Sequence, residues 1–282
     1  NILLNRARKE KEKENLNVQN GLTFTYWLFR LGFLKIMNAI PSISSQIDEK
    51  IIFKVIDKYF SRLVPHYYKW IHSWLIGAYE NYADIDKYII LIYIINKDFI
   101  FFRRNGLIVD YDTFYKDKSL EVDKINISDI SKDLQIPKES VRRKVAELEK
   151  ANVIIKKSKK FFITRTAFTT TQANLTLKNM TALLCEFNKI LEEEKIVKVA
   201  YQSTEISDSI KKNFSFVWYQ FYKFLFIFTN RFRKELGDLE TFTIGALVLL
   251  NAAENKTFKV KEFDRKKYMI SIQDSGESCS SY

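Results

Sequence analysis

Residues 125–168, INISDISKDLQIPKESVRRKVAELEKANVIIKKSKKFFITRTAF, decide how this chain folds. Ser128 is placed to cap a short helix over Asp129–Leu134, with Ile127, Ile130 and Leu134 on one face. Gln135 and Ile136 make a tight turn with Ile136 pointing inward. Pro137 suits the start of a second helix, where its missing N–H has no intrahelical partner. Val141, Val145 and Leu148 follow at i, i+4 and i+7, a single inward stripe. Lys138, Arg142, Arg143, Ala146, Glu149 and Lys150 must then lie away from that stripe or flank it. The second helix is expected over Pro137–Ala151, ended by Asn152 in a left-handed conformation. Val153–Lys156 and Phe161–Thr164 are β-prone runs around Lys157, Ser158, Lys159 and Lys160, which reads as a hairpin with a cationic tip.

Helix, turn, helix and basic hairpin in that order resemble the winged helix-turn-helix DNA-binding family. The run SDISKDLQIPKESVRRKVAELEKANVI, residues 128–154, looks much like that of its MarR-type bacterial transcription regulators. The resemblance covers about 40 of 282 residues. It departs from the family at Asn152, where Gly is usual, and in a longer polar loop, residues 103–124, before the motif. Lrp-like and replication-initiator winged helices share much of the pattern. The resemblance implies a double-stranded DNA partner and a two-fold arrangement, supplied by a homodimer or by tandem modules in one chain; a cytoplasmic location is expected from the two unpaired cysteines and no catalytic activity from the lack of an enzyme motif. It also implies that Lys138, Ser140, Arg142 and Arg143 approach base edges, while Lys144 and the wing lysines Lys156, Lys157, Lys159 and Lys160 hold phosphates.

Charge points the same way without the family. From Lys138 to Lys160 there are nine basic and three acidic residues, half of the chain's net charge of +12 within 23 positions. An apolar stripe opposite a basic face at this spacing favours nucleic-acid contact over a merely solvated cationic helix.

The rest of the chain sets the frame. Its 282 residues make one large domain or two ordinary ones. With 46% hydrophobic and 15% aromatic residues, wholesale disorder is excluded. Only 7 Gly and 3 Pro argue against a many-turned β sandwich and for long helices, so the expected class is mainly α with a small β-hairpin wing. Cys185 and Cys279 have no CxxC spacing, and neither a disulfide framework nor a metal site is readable. The glycines never cluster into a phosphate-binding loop. His66 and His72, six apart, face different sides of a helix, so packing or surface roles are expected of them. No cofactor is implied. The first residue is Asn rather than Met, so the lack of a visible leading signal carries little weight.

Along the chain, residues 6–14 form a mixed-charge tail. Residues 22–40 are nearly long enough to span a membrane, but Arg30 and Lys35 interrupt them, so a buried or interfacial helix is expected and no transmembrane segment. Residues 51–82 show helical periodicity, with a kink or junction expected at Pro65. A helix follows over Ile85–Ile95, begun by Asp84, and Asp86 reads as a first-turn acid. Residues 102–119 read as a loop with one short strand at Leu107–Val109. The aromatic run from Phe214 to Phe228 is too dense for one buried stripe, so some rings should meet another helix, another subunit or a ligand.

A gapless shift of 154 positions lays 52–96 on 206–250 with eight identities: Ile52/Ile206, Ile56/Ile210, Lys58/Lys212, Phe60/Phe214, Ser61/Ser215, Tyr68/Tyr222, Lys69/Lys223 and Asp84/Asp238. Chance and a true tandem repeat both remain open at that level of identity. Under duplication the organisation is a charged tail and apolar helix (1–50), a winged helix-turn-helix module (51–167, reading head 125–167), connecting helices (168–205) and a second helical module (206–282). Adding 154 to Ile127 gives 281, so that second module is expected to be truncated and to lack its reading head, ending in the polar run ISIQDSGESCSSY. The functional expectation is a sequence-specific transcriptional regulator. The competing expectations are a plasmid-type replication initiator with tandem winged helices, or a non-catalytic protein or membrane-surface interaction module.

Overall fold

The computed structural model describes residues 47–116, 119–122, 126–157, 160–164, 167, 173–254 and 264–267. The charged run 6–14, the apolar stretch 22–40, Ser158, Lys159 and the final polar run lie outside the described residues. The described chain is mainly helical, with one small antiparallel sheet.

Three helices lead. Helix α1 (Glu49–Lys58) buries Ile52, Val55 and Ile56, one face of an amphipathic pattern, and the Asp48 carboxylate accepts from the Lys50 N–H at its start. Helix α2 (Phe60–Tyr82) follows after a break at Tyr59. Of the two forms expected at Pro65, a kink or a junction, the junction is excluded, because α2 continues through that proline. Proline there forfeits one helical hydrogen bond to the Ser61 carbonyl, whereas Tyr59 is fixed where it stands, its ring buried and its hydroxyl on Glu194. Helix α3 (Ile85–Arg104) starts at Asp84, whose carboxylate accepts from the Lys87 N–H. It continues well past Ile95 because Asn96 and Phe99 are buried, Phe99 stacking on Phe114 at 5.0 Å.

The segment expected to be a loop is more ordered than its composition suggests. It holds the end of α3, a short helix α4 (Tyr111–Lys116) and strand β1 (Ser119–Val122). No strand forms at Leu107–Val109. Val109 instead exchanges hydrogen bonds with Ser215, its N–H donating to the hydroxyl and its carbonyl accepting the Ser215 N–H. Helix α5 (Ile127–Leu134) and helix α6 (Lys138–Lys150) come next, then strands β2 (Ile154–Lys157) and β3 (Lys160–Thr164). The cap of α5 is Asn126 rather than Ser128, the Asn126 side chain accepting from the Ser128 N–H. Two residues further upstream, Asn makes an equally good cap and lets Ile127 join the helix.

Between α5 and α6, Gln135 adopts φ 55° and Ile136 is 2% exposed, as a tight inward turn requires. Val141, Val145 and Leu148 are buried. Asn152 ends the unit at φ 54°, and its carbonyl accepts the Thr164 hydroxyl. Asn152→Gly should leave stability level or slightly raised. Asn152→Val should cost about 1–2 kcal/mol in urea unfolding, since a β-branched side chain resists the left-handed region; equal stabilities would show that the conformation is not required. The sheet runs β1-β3-β2, all antiparallel, with Leu120 opposite Ile163 and Ile163 opposite Ile154.

Helix α7 (Ala173–Glu193) connects the halves and packs along α2. Arg62 of α2 grips Glu186 at 2.7 Å and Glu193 at 2.6 Å across that contact. Helices α8 (Ser203–Lys212), α9 (Phe214–Leu236) and α10 (Leu239–Glu254) follow. Shifting α1 and α2 by 154 reproduces both bounds of α8 and α9, and the first residue of α3 falls on the first residue of α10. The capping repeats too. Asp238 accepts from the Thr241 N–H as Asp84 does from Lys87, and Asp264 accepts from the Lys267 N–H as Asp110 does from Thr113.

Packing respects the same exchange. Helix α2 lies on α10 while α9 lies on α3, and α4 touches α8 while Arg265 pairs with Asp57 of α1 at 3.3 Å. The two helical triples are thus related by an approximate two-fold within one chain. Their shared core is aromatic: Trp70 meets Phe221 and Phe224 at 5.3 and 5.6 Å, and Trp74 meets Phe228 at 6.3 Å. This is why the run from Phe214 is so dense. Its rings face α2, α3 and α4 of the other half, and Phe216, Tyr219 and Phe226 stay half-exposed.

His66 and His72 are half-buried on α2. Burial is the first cause holding both imidazoles below their ordinary pKa. At His66, Lys69 and Lys189 add to that lowering and Glu186 opposes it. A histidine harder to protonate when folded leaves the folded chain at full stability above the unfolded value near 6.5, and stability is lost as the pH falls from there through the lower folded value. Denaturation midpoints should therefore drop between pH 7.5 and 5.5, and His66→Gln with His72→Gln should flatten the drop; an unchanged slope would assign it to other groups.

Candidate nucleic-acid interface

Helix α6 presents a basic outer face over its buried stripe. Lys138, Arg142, Arg143 and Lys150 are exposed and Ser140 is half-buried. Their freedom differs. The Arg142 guanidinium is engaged by Glu139 one turn back, at 2.5 Å. Arg143 is 69% exposed, with Glu147 only at 4.0 Å, because the Glu147 carboxylate is held by Lys87 at 2.6 Å. Lys87 thus draws away the acid nearest Arg143, leaving it the less engaged of the two guanidiniums on the helix.

The hairpin stands beside α6, which packs on β2. Lys156 is exposed on β2, its ammonium 5.7 Å from the Phe161 ring. Lys157 and Lys160 pair across the end of the hairpin; their side chains, like the whole of Lys159, lie outside the described residues.

Lys144 is the exception among the residues assigned to DNA. It is 8% exposed and turned inward, where its ammonium is bound by Asp84 with Asp86 at 3.9 Å. The spacing explains this: position 144 lies three after Val141 and four before Leu148, on the buried side of the helix. Lys144 is therefore a buried tether, not a phosphate contact. It counts toward the charge of the segment but not toward the charge of its outer face.

Around it lies a junction that the sequence reading missed. Arg233 of α9 donates to Asp86 and, at 2.8 Å, to the Leu134 carbonyl at the end of α5. Asn230 donates to the Asp133 carbonyl at 2.7 Å, and the Tyr93 hydroxyl to the Asp133 carboxylate at 2.6 Å. Two acids from the start of α3 thus neutralise one base from α6 and one from α9, and α9 also satisfies the orphan carbonyls of α5. Asp84 and Asp86 read in the sequence as helix-start acids, which they are; nothing local indicates that they also hold Lys144 and Arg233.

Among the described residues no three His, Cys, Asp or Glu side chains converge on a metal position, and no helix is long and apolar enough to cross a membrane. Cys185 is a half-buried free thiol on α7. No family model matches the chain, and neither curated proteins nor solved structures contain a significant match to it.

Proposed function

We propose that the chain is a sequence-specific double-stranded DNA-binding regulator of the winged helix-turn-helix kind, acting by occupying its site rather than by catalysis. The observation that carries this is the two-sided build of α6: Val141, Val145 and Leu148 are buried beneath, while Lys138, Arg142, Arg143 and Lys150 are exposed above, next to a three-stranded sheet with Lys156 on its edge hairpin. A helix held this way enters a major groove with arginine forks toward base edges, and the hairpin follows the phosphate backbone.

Duplex binding measured against salt tests it. About six phosphate contacts give a slope of log K against log salt near about −5, and selection from random duplexes should return a defined motif. No duplex binding at low salt would end the proposal and leave a protein-interaction module as the better reading. The repeated helical triple favours a second form of the same reading, a replication initiator with tandem modules. Selected sites arranged as direct repeats would favour the initiator, and a promoter palindrome the transcriptional regulator.

A further inference from the structure

The reading head is held from both halves of the chain, and the two holds differ in kind. Its own half supplies the packing of α5 and α6 on α3 and the Lys144 pair with Asp84. The other half supplies donors from α9, directed at the last two residues of α5. Asn230 donates to the Asp133 carbonyl at 2.7 Å and Arg233 to the Leu134 carbonyl at 2.8 Å. The second arm of the Arg233 guanidinium is on Asp86, so one planar fork ties α9 to α3 and to the end of α5. Phe226 of α9 adds an edge contact at 5.7 Å to Tyr93, whose hydroxyl holds the Asp133 carboxylate.

Only Gln135, Ile136 and Pro137 separate those carbonyls from the first residue of α6. That turn has little slack: Gln135 is left-handed, Ile136 is buried, and the Ile136 carbonyl accepts the Ser131 hydroxyl at 2.7 Å. A shift at the end of α5 is therefore passed on to α6. The internal two-fold separates this task from holding the bundle together. The residues 154 positions before Asn230 and Arg233 are Ile76 and Tyr79 of α2. Isoleucine has no donor and Tyr79 is 54% exposed, yet α2 lies on α10 as α9 lies on α3. A helix in this place packs without such donors, and what Asn230 and Arg233 add is directed at the head.

We propose that Asn230 and Arg233 are positioning residues for α6: the second helical triple sets the angle of the reading helix through two carbonyls of α5. The inference rests on α6 being the reading helix, but its first test involves no DNA.

That test is a distance between spin labels at Ala146→Cys, exposed on α6, and Ile227→Cys, exposed on α9, in a chain whose Cys185 and Cys279 are replaced by serine. The parent should give one narrow distance. Arg233→Lys with Asn230→Ala should broaden it about twofold or more, since lysine keeps a charge for Asp86 without the fork that also reaches Leu134. A control pair at Lys211→Cys and Ile227→Cys lies within the second triple and should not change. On matched duplex the same variant should bind about fivefold more weakly, because only a fraction of heads present α6 correctly. Base preference and salt slope should stay those of the parent, as no phosphate contact is removed. A parental distance in the variant, equal broadening of both label pairs, or weaker binding with a flatter salt slope would each overturn the proposal. If the double variant does not fold, Arg233→Lys alone reads the same distance. A parent that binds no duplex would remove the DNA reading, and the label distances would still decide whether α9 orients the head.

Discussion

Replacing Arg143 by alanine should weaken binding to the selected duplex by about 1–3 kcal/mol and relax preference at one or two base positions, while folding stability stays within about 0.5 kcal/mol. Arg143 is the residue to choose because it is the least engaged guanidinium on α6: Arg142 is clamped by Glu139, and Lys87 has taken up Glu147. Adding Lys156→Ala should leave base preference alone and cut the magnitude of the salt slope by about one. Fluorescence anisotropy across a salt series on matched and scrambled duplexes separates the two effects. If Arg143→Ala binds both duplexes as the parent does, α6 is not the reading element.

Lys144→Met should produce the opposite pattern. Removing the ammonium leaves Asp84 and Asp86 facing each other across a junction with only Arg233 to neutralise them. Breaking a buried pair from one side costs about 3–5 kcal/mol, and the remaining water access of the two carboxylates places this one at about 2–4 kcal/mol. Direct contribution to the salt slope should be negligible, because a side chain 8% exposed does not reach phosphate. Urea unfolding with the duplex titration reads both quantities from one variant. A stable Lys144→Met protein with a flattened salt slope would return Lys144 to the interface.

The contrast between these lysine and arginine positions shows where sequence is informative. The α5–turn–α6 unit is written locally: Ile136, Val141, Val145 and Leu148 occupy positions that only an inward turn and an inward stripe explain, and Asn152 tolerates the left-handed end. The outward arginines follow from the same periodicity. What was not legible depends on partners distant in the chain. β1 exists because β3 accepts it, and four residues carry no mark of such pairing. Lys144 reads with its basic neighbours by charge although its spacing puts it on the buried side; the acids that receive it come from the start of α3, and Arg233 comes from α9. The break at Tyr59 was hidden by the more conspicuous Pro65, although its counterpart Asn213 lies at the same place in the second triple.

The internal two-fold has a consequence for how such a protein can diverge. In an assembly of identical subunits every substitution is made twice, so a residue useful on one side is imposed on the other. When both halves belong to one polypeptide, each position mutates alone. Arginine at 233 with tyrosine at 79 is an asymmetry that a homodimer has no means of encoding. It fastens the helix pair on one flank while the opposite flank follows a separate history.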